Sequence, residues 1–197
     1  VSTNIVLAGV GGQGTVLASK LISDAAMAKG LSVKSAETIG MAQRGGSVMS
    51  HVRIGEGVHS PLVGEGRADL LISFEPAEAV RRLSFLKPGA SVIVANRPVV
   101  PVSAMTGGPA YDLDAVMSYL TVKVPEGKLH IVDAAQAERD LGSAKCLNVV
   151  LLGAAVRTGA LGLTEEDIEG AIRRRVPERF WDLNTRALAY TAGTKQA

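Results

Sequence analysis

Asn4-Ile5-Val6-Leu7-Ala8-Gly9-Val10-Gly11-Gly12-Gln13-Gly14 is the stretch on which the fold turns. An apolar run that passes straight into glycines reads as a buried strand entering a tight turn. Beyond it, Val16, Leu17, Leu21, Ile22, Ala25 and Ala26 recur at helical spacing within residues 13–28, and Gly30 stands where a helix would end at C′. Residues 31–37 read as a second strand. Strand, helix and strand in so short a span predict a βαβ unit and a parallel sheet. Gly9 to Gly14 also fits G-x-G-x-x-G in the context that gives this pattern meaning, between a strand and a helix. Such glycines bring backbone N–H groups close to a phosphate or carboxylate at the helix N-terminus. They equally permit close packing of helix on strand with no ligand at all.

Outward from this turn, further strands are expected at residues 47–54, 69–74, 91–95, 119–124 and 130–132, and helices at 76–86, 112–118 and 134–141. Residues 97–110 hold three prolines and two adjacent glycines, which predicts an extended surface loop. After residue 146 the pattern is all-helical. Residues 147–156 are apolar almost all round, so this helix should be buried, against the sheet or a second subunit. Thr164 followed by Glu165, Glu166 and Asp167 looks like an N-cap and an acidic first turn, with Ile168, Ala171, Ile172 and Val176 on one face. Arg173-Arg174-Arg175 resembles a phosphate-binding patch, but cations also gather at helix C-termini because the dipole favours them there. The expected class is α/β: a Rossmann-like open, mostly parallel sheet with flanking helices and a helical C-terminal segment at about 146–193, in one domain over 1–197.

Composition sets limits on chemistry. The 197 residues are 47% apolar but only 4% aromatic, so the core must be aliphatic. A net charge of +2 carries no basic excess of the kind nucleic-acid binders show. One cysteine, Cys146, can form no intrachain disulfide and cannot supply the clustered thiolates of a zinc ribbon or an iron–sulfur centre. No apolar run is long enough to span a bilayer. A cytoplasmic protein bound to neither membrane nor nucleic acid is the expectation, with too little catalytic equipment to be a complete enzyme alone.

Several residues invite a functional reading. Glu37 falls near the end of the second strand, where a dinucleotide fold places its ribose-binding acid. Tyr119 and Lys123 have the Y-x-x-x-K spacing of one reductase class, yet in a strand the two would stand roughly 13 Å apart. His51 and His59 are isolated and read as polar strand or loop residues. Gln43-Arg44-Gly45-Gly46 follows the second strand and should share a rim with the glycine turn; there Arg44 would suit an anion, or simply tether its own loop. The residues alone leave open a nicotinamide-nucleotide reductase, an adenylating enzyme of the ubiquitin-activating type, and a nucleotide-sensing or interaction module.

Taken in order, Gly9 to Gly14, then Gly40-Met41-Ala42-Gln43-Arg44-Gly45-Gly46, Ser50-His51-Val52-Arg53, Ser60-Pro61-Leu62, Phe74-Glu75-Pro76-Ala77-Glu78-Ala79-Val80-Arg81 and the stretch from Asn148 through Leu161 closely resemble the gamma domain of the 2-oxoacid:ferredoxin oxidoreductases, in particular the beta subunits of the indolepyruvate enzymes. The likeness continues to Asn184 and Gly193, and residues 97–138 carry least of it. The resemblance implies a reaction divided between chains. A 2-oxoacid, here an aryl pyruvate such as indolepyruvate, adds to thiamine diphosphate and loses carbon dioxide; iron–sulfur clusters pass electrons to ferredoxin; coenzyme A accepts the acyl group. The Gly-Asp-Gly and Asn signature for thiamine diphosphate and magnesium is absent, as are the cysteine sets, so these groups should sit on a larger alpha subunit. The resemblance further implies that Gly11, Gly12, Gln13 and Gly14, with Gln43, Arg44, Gly45 and Gly46, face that partner or the pyrophosphate of a cofactor or coenzyme A. No catalytic residue and no metal ligand is expected on this chain, and an exposed partner-binding face could make it self-associate when isolated.

Overall fold

A computed structural model describes residues 2–39 and 45–197. The chain runs β1 (Thr3–Val10), α1 (Thr15–Ala28), β2 (Val33–Ile39), β3 (Ser47–Ile54), β4 (Ala68–Ser73), α2 (Pro76–Arg81), β5 (Leu86–Ala95), α3 (Val102–Met105), α4 (Leu113–Lys123), β6 (Leu129–Val132), α5 (Ala134–Leu141), α6 (Leu147–Arg157), α7 (Glu165–Arg175), α8 (Trp181–Leu188) and β7 (Thr194–Gln196). The strands form one sheet in the order β2-β3-β1-β4-β5-β6-β7. β1, β4, β5 and β6 are parallel neighbours, while β3 is antiparallel to both β1 and β2, and β7 is antiparallel to β6. Five strands therefore point one way, as an α/β sheet of mostly parallel sense requires.

Alternation along β1 divides the core. Ile5 and Leu7 face α1 and the C-terminal helices, packing with Leu21, Ile22, Val150, Leu151 and Ile172. Val6 and Ala8 face the other way, with Leu71, Val92, Val94, Ala79 and Leu120. Both sheet faces are thus covered, which explains why β1, β4 and β5 read as continuous apolar runs. α6 is buried by its own chain: a Cβ on Gly153 would lie 2.0 Å from the Leu188 carbonyl oxygen, so only glycine lets α6 and α8 cross this closely.

The structure corrects the expected elements at several points. β1 and β2 run in the same direction but are not neighbours, because β3 wedges between them. Burial decides that order. β3 buries Val48, Ser50, His51, Val52 and Ile54, whereas β2 exposes Lys34, Ser35, Glu37 and Thr38 and takes the edge, where polar side chains also discourage unwanted pairing. Residues 119–124 are not a strand. α4 continues to Lys123 with Asp112 accepting the Ala115 N–H at 2.9 Å as its N-cap, and Leu113, Val116, Met117 and Leu120 turn inward at helical spacing while Val122 is 81% exposed. The helix expected at 76–86 stops at Arg81, and β5 begins at Leu86 rather than Ser91. The 97–110 segment contains the short α3, and the C-terminal part ends in a strand, β7. α1, α5, α6 and α7 form where expected, α7 with a full capping box between Thr164 and Asp167.

Candidate functional site

The chain leaves β1 for α1 on one face of the sheet and β4 for α2 on the other, so a crevice opens between the carboxyl ends of β1 and β4. The glycine turn stands at its lip. Gly12 and Gly14 have φ of 100° and 87°, conformations that only glycine adopts freely. Gly9 cannot carry a side chain either, since a Cβ there would lie 2.8 Å from Gln13 Oε1 and 3.0 Å from Phe74 Cβ. Gln13 is folded back into its own turn: Oε1 accepts the Val10 N–H at 2.7 Å, and Nε2 donates to the Phe74 carbonyl at 3.0 Å. Its carboxamide thus ties the turn to the end of β4. Gly11 N–H donates to Gly46 O at 2.9 Å, which brings the end of the 40–46 segment beside the turn; Gly45 is exposed with φ of 76°. Gln43 and Arg44 lie outside the described residues.

On one side of the turn is a cavity of about 400 Å³ lined by Val10, Gly11, Gly12, Gly14, Thr15 and Val48. The first helical bond of α1 runs from Ala18 N–H to Gly14 O at 3.0 Å, and no side chain among the described residues caps the N–H groups before it. Thr15, 3% exposed, has a hydroxyl with no hydrogen-bond partner among the described residues. Asn148, 5% exposed, packs against Gly14 from α6, 134 residues downstream, where a Gly14 Cβ would lie 2.9 Å from its Nδ2, but it lines a separate cavity with Leu17, Cys146 and Asn184. Neither Thr15 nor Asn148 follows from the sequence pattern, because their relation to the turn is tertiary.

On the other side is a second cavity, of about 480 Å³, between Val10, Ser47 and α2 and the segment carrying Val99, Pro101, Pro109 and Tyr111. Here the buried carboxylates are paired. Glu75, 1% exposed, caps α2 by accepting the Glu78 N–H at 2.8 Å, and it also accepts the Tyr111 hydroxyl at 2.5 Å and the Val99 N–H at 3.4 Å. Glu78 accepts the Ser47 hydroxyl at 2.6 Å and pairs with Arg81 and Arg82. Burial, and then the bond to Glu75, push the Tyr111 phenol well above its ordinary range, so it keeps its proton.

The remaining candidates resolve as structural. Glu37 pairs across β3 to the level of Leu7, two strand spacings or about 9.5 Å from β1, and its carboxylate accepts the Ser19 hydroxyl. Tyr119 and Lys123 do meet, because α4 is a helix, but Lys123 Nζ lies 5.5 Å from the Tyr119 ring centre beside the start of β5, on the rim opposite the glycine turn. His51 is buried in β3 with Nδ1 accepting the Val63 N–H at 3.2 Å, and burial followed by the nearby Arg82 charge holds its pKa below the usual value. Arg53 grips the same loop through the Ser60 carbonyl at 3.0 Å and donates to Asn4 at 2.7 Å. His59 is exposed in that loop. Arg174 and Arg175 pair with Asp24 of α1, and Arg173 with Glu169. Cys146 is buried, and burial raises its thiol pKa. Among the described residues no group of three or more His, Cys, Asp or Glu could hold a metal, and no helix is long and apolar enough to cross a membrane.

Residues 4–193 match the family described as Pyruvate ferredoxin/flavodoxin oxidoreductase, and the chain belongs to it. It is a subunit of an oxidoreductase of that family. The chain is 40% identical over 98% of its length to indolepyruvate oxidoreductase subunit IorB of Thermococcus kodakarensis, covering 95% of that protein, and 42% identical over 94% to subunit IorB of Archaeoglobus fulgidus, covering 91%. Among solved structures, the gamma subunit of a keto/oxoacid ferredoxin oxidoreductase from Geobacter sulfurreducens superposes with a TM-score of 0.67 at 27% identity, over 95% of this chain and 93% of that one. A 2-oxoglutarate:ferredoxin oxidoreductase from Magnetococcus marinus has the same fold (TM-score 0.70, 21% identity), matching 95% of this chain but 30% of its own.

Proposed function

We propose that this chain is the small subunit of a cytoplasmic indolepyruvate ferredoxin oxidoreductase, and that its glycine turn faces the pyrophosphate of coenzyme A or a bound cofactor. In this reading the larger subunit carries thiamine diphosphate, magnesium and iron–sulfur clusters, which supply the decarboxylation and electron transfer to ferredoxin. The donor set here suits none of those metal centres, with one buried cysteine in the whole sequence and no acidic or imidazole cluster among the described residues. The small subunit's own work is to bind and orient: it closes one wall of the site and neutralises an anion with backbone N–H groups and the positive end of α1.

The observation that carries this reading is the uncapped start of α1, a 14-residue helix whose leading N–H groups have no side-chain acceptor among the described residues and lie under a glycine turn. Among the described residues a Cβ on Gly12 would meet nothing within 4 Å, which leaves room there for a ligand. A nicotinamide nucleotide is disfavoured, because β3 displaces Glu37 from the position a ribose-binding acid must hold.

The test is co-purification followed by assay. The chain should draw down a larger iron–sulfur subunit containing thiamine diphosphate, and aryl 2-oxoacid oxidation should need both proteins and coenzyme A. Turnover by the 197-residue chain alone would reject the proposal.

A further inference from the structure

We propose that the Thr15 side chain is a ligand-touching donor of the site at the start of α1, its hydroxyl giving a hydrogen bond to an oxygen of a bound pyrophosphate. The inference rests on the reading of the glycine turn as an anion site and adds a side chain to its backbone donors.

α1 carries buried hydroxyls about one helical turn apart, on Thr15, Ser19 and Ser23. Two of them are used within the helix: Ser19 donates to the Val16 carbonyl at 2.9 Å and Ser23 to the Ser19 carbonyl at 2.8 Å. The third, at the glycine turn, is not. Thr15 is 3% exposed, and its Oγ1 bonds to no described residue. Ser50 Oγ, Arg82 Nε and Thr194 Oγ1 share that condition among the described residues, but of these residues only Thr15 lines either cavity at the end of β1. Its oxygen lies beneath the turn, 3.0 Å from where a Gly9 side chain would begin. Packing does not call for a hydroxyl here, since valine has the same branched shape and no donor to satisfy. A buried donor left unmade is costly, and an acceptor brought in from outside the chain removes that cost. The N–H groups of Thr15, Val16 and Leu17, ahead of the first helical bond, need acceptors in the same place. A phosphate group meets both needs, with several acceptor oxygens and negative charge at the positive end of the helix.

The experiment titrates inorganic pyrophosphate, coenzyme A and thiamine diphosphate into the 197-residue chain, by itself and in complex with the larger subunit. Whichever organic ligand competes with pyrophosphate identifies the source of the anion. Thr15→Val removes the hydroxyl and keeps the branched shape, whereas Thr15→Ser keeps the hydroxyl. The Val variant should hold or raise the thermal midpoint of the free chain, because no bond of the fold is lost, yet bind pyrophosphate about tenfold more weakly. The Ser variant should bind it within about threefold of the wild type. Independently of any variant, the Thr15 methyl resonance of the wild-type chain should move on adding pyrophosphate. Undiminished binding by Thr15→Val, equal losses in the Val and Ser variants, a midpoint several degrees lower in the Val variant, or a Thr15 resonance that stays still would each show the role of Thr15 to be wrong and leave the anion site without it. If the wild type binds none of these ligands in either form, the glycine-turn reading itself has failed and this inference falls with it.

Discussion

Two cavities of similar size flank the end of β1, and they differ in how their polar groups are spent. Beside α2, Glu75, Glu78, Tyr111 and Ser47 exchange hydrogen bonds among themselves and leave nothing to offer. Beside α1, among the described residues, the leading helix N–H groups lack a side-chain cap and the buried Thr15 hydroxyl has no partner. The first arrangement ties the 97–112 segment over the rim through Val99 and Tyr111; the second leaves donors uncapped, as the proposed anion site requires. Size does not separate the two, at about 480 Å³ beside α2 and about 400 Å³ beside α1.

Substitutions can break this contrast. Glu75→Ala should have the largest effect, about 3 kcal/mol of unfolding free energy by denaturant titration, because it removes the α2 cap and strands buried donors; pyrophosphate affinity should hardly change in the folded fraction. Gln13→Leu removes both ties of the turn. It should cost about 1–2 kcal/mol and also weaken pyrophosphate, since Gln13 shapes the turn from the saturated side. Tyr111→Phe keeps the ring and loses one bond to Glu75, costing about 1 kcal/mol with ligand affinity unchanged. An equal loss of affinity in Tyr111→Phe and Gln13→Leu would erase the distinction between the two sides. Arg44→Ala, in the reconstituted enzyme, should raise the KM for coenzyme A about tenfold with kcat little altered; unchanged dependence on coenzyme A would reject the role given to Arg44.

The smallest effect is on pH. His51 and His130 both have pKa values lowered by burial, so the unfolded chain binds more protons than the folded one as pH falls below the ordinary histidine value near 6.5. Stability from these two residues is therefore full above that value and declines as pH drops toward their folded pKa values. Urea midpoints at pH 7.5 and 5.5 should show the fall, and His51→Gln should shrink it.

The sequence announced what is local. The glycine turn, α1 with Gly30 at its end, and the Thr164 cap of α7 depend on neighbours a few residues away, and their patterns are unambiguous. Where two periodicities coincide, the sequence misleads: Tyr119 to Val124 alternates like a strand, and only the inward run of Leu113, Val116, Met117 and Leu120 onto the sheet shows it to be helix. Strand order was hidden for another reason. Adjacency in sequence suggested that β1 and β2 pair, and what overrides it is the burial that β3 can supply and β2 cannot. In the site, Gly11, Gly12 and Gly14 were legible as a motif. That the Gln13 carboxamide folds back onto Phe74, and that Asn148 approaches Gly14 from α6, are tertiary facts the motif does not carry.

The wedged position of β3 also bears on how the chain assembles. Ile39 and Val48 are register partners only nine residues apart in sequence, whereas Ile5 pairs with Leu70 only after a much longer stretch has been drawn in. Closing short loops costs less entropy, so the β2–β3 hairpin should acquire exchange protection early in refolding, and the β1–β4 seam late. Pulse-labelled hydrogen exchange would read that sequence of events. On this account the crevice that holds the candidate site is among the last parts of the molecule to exist.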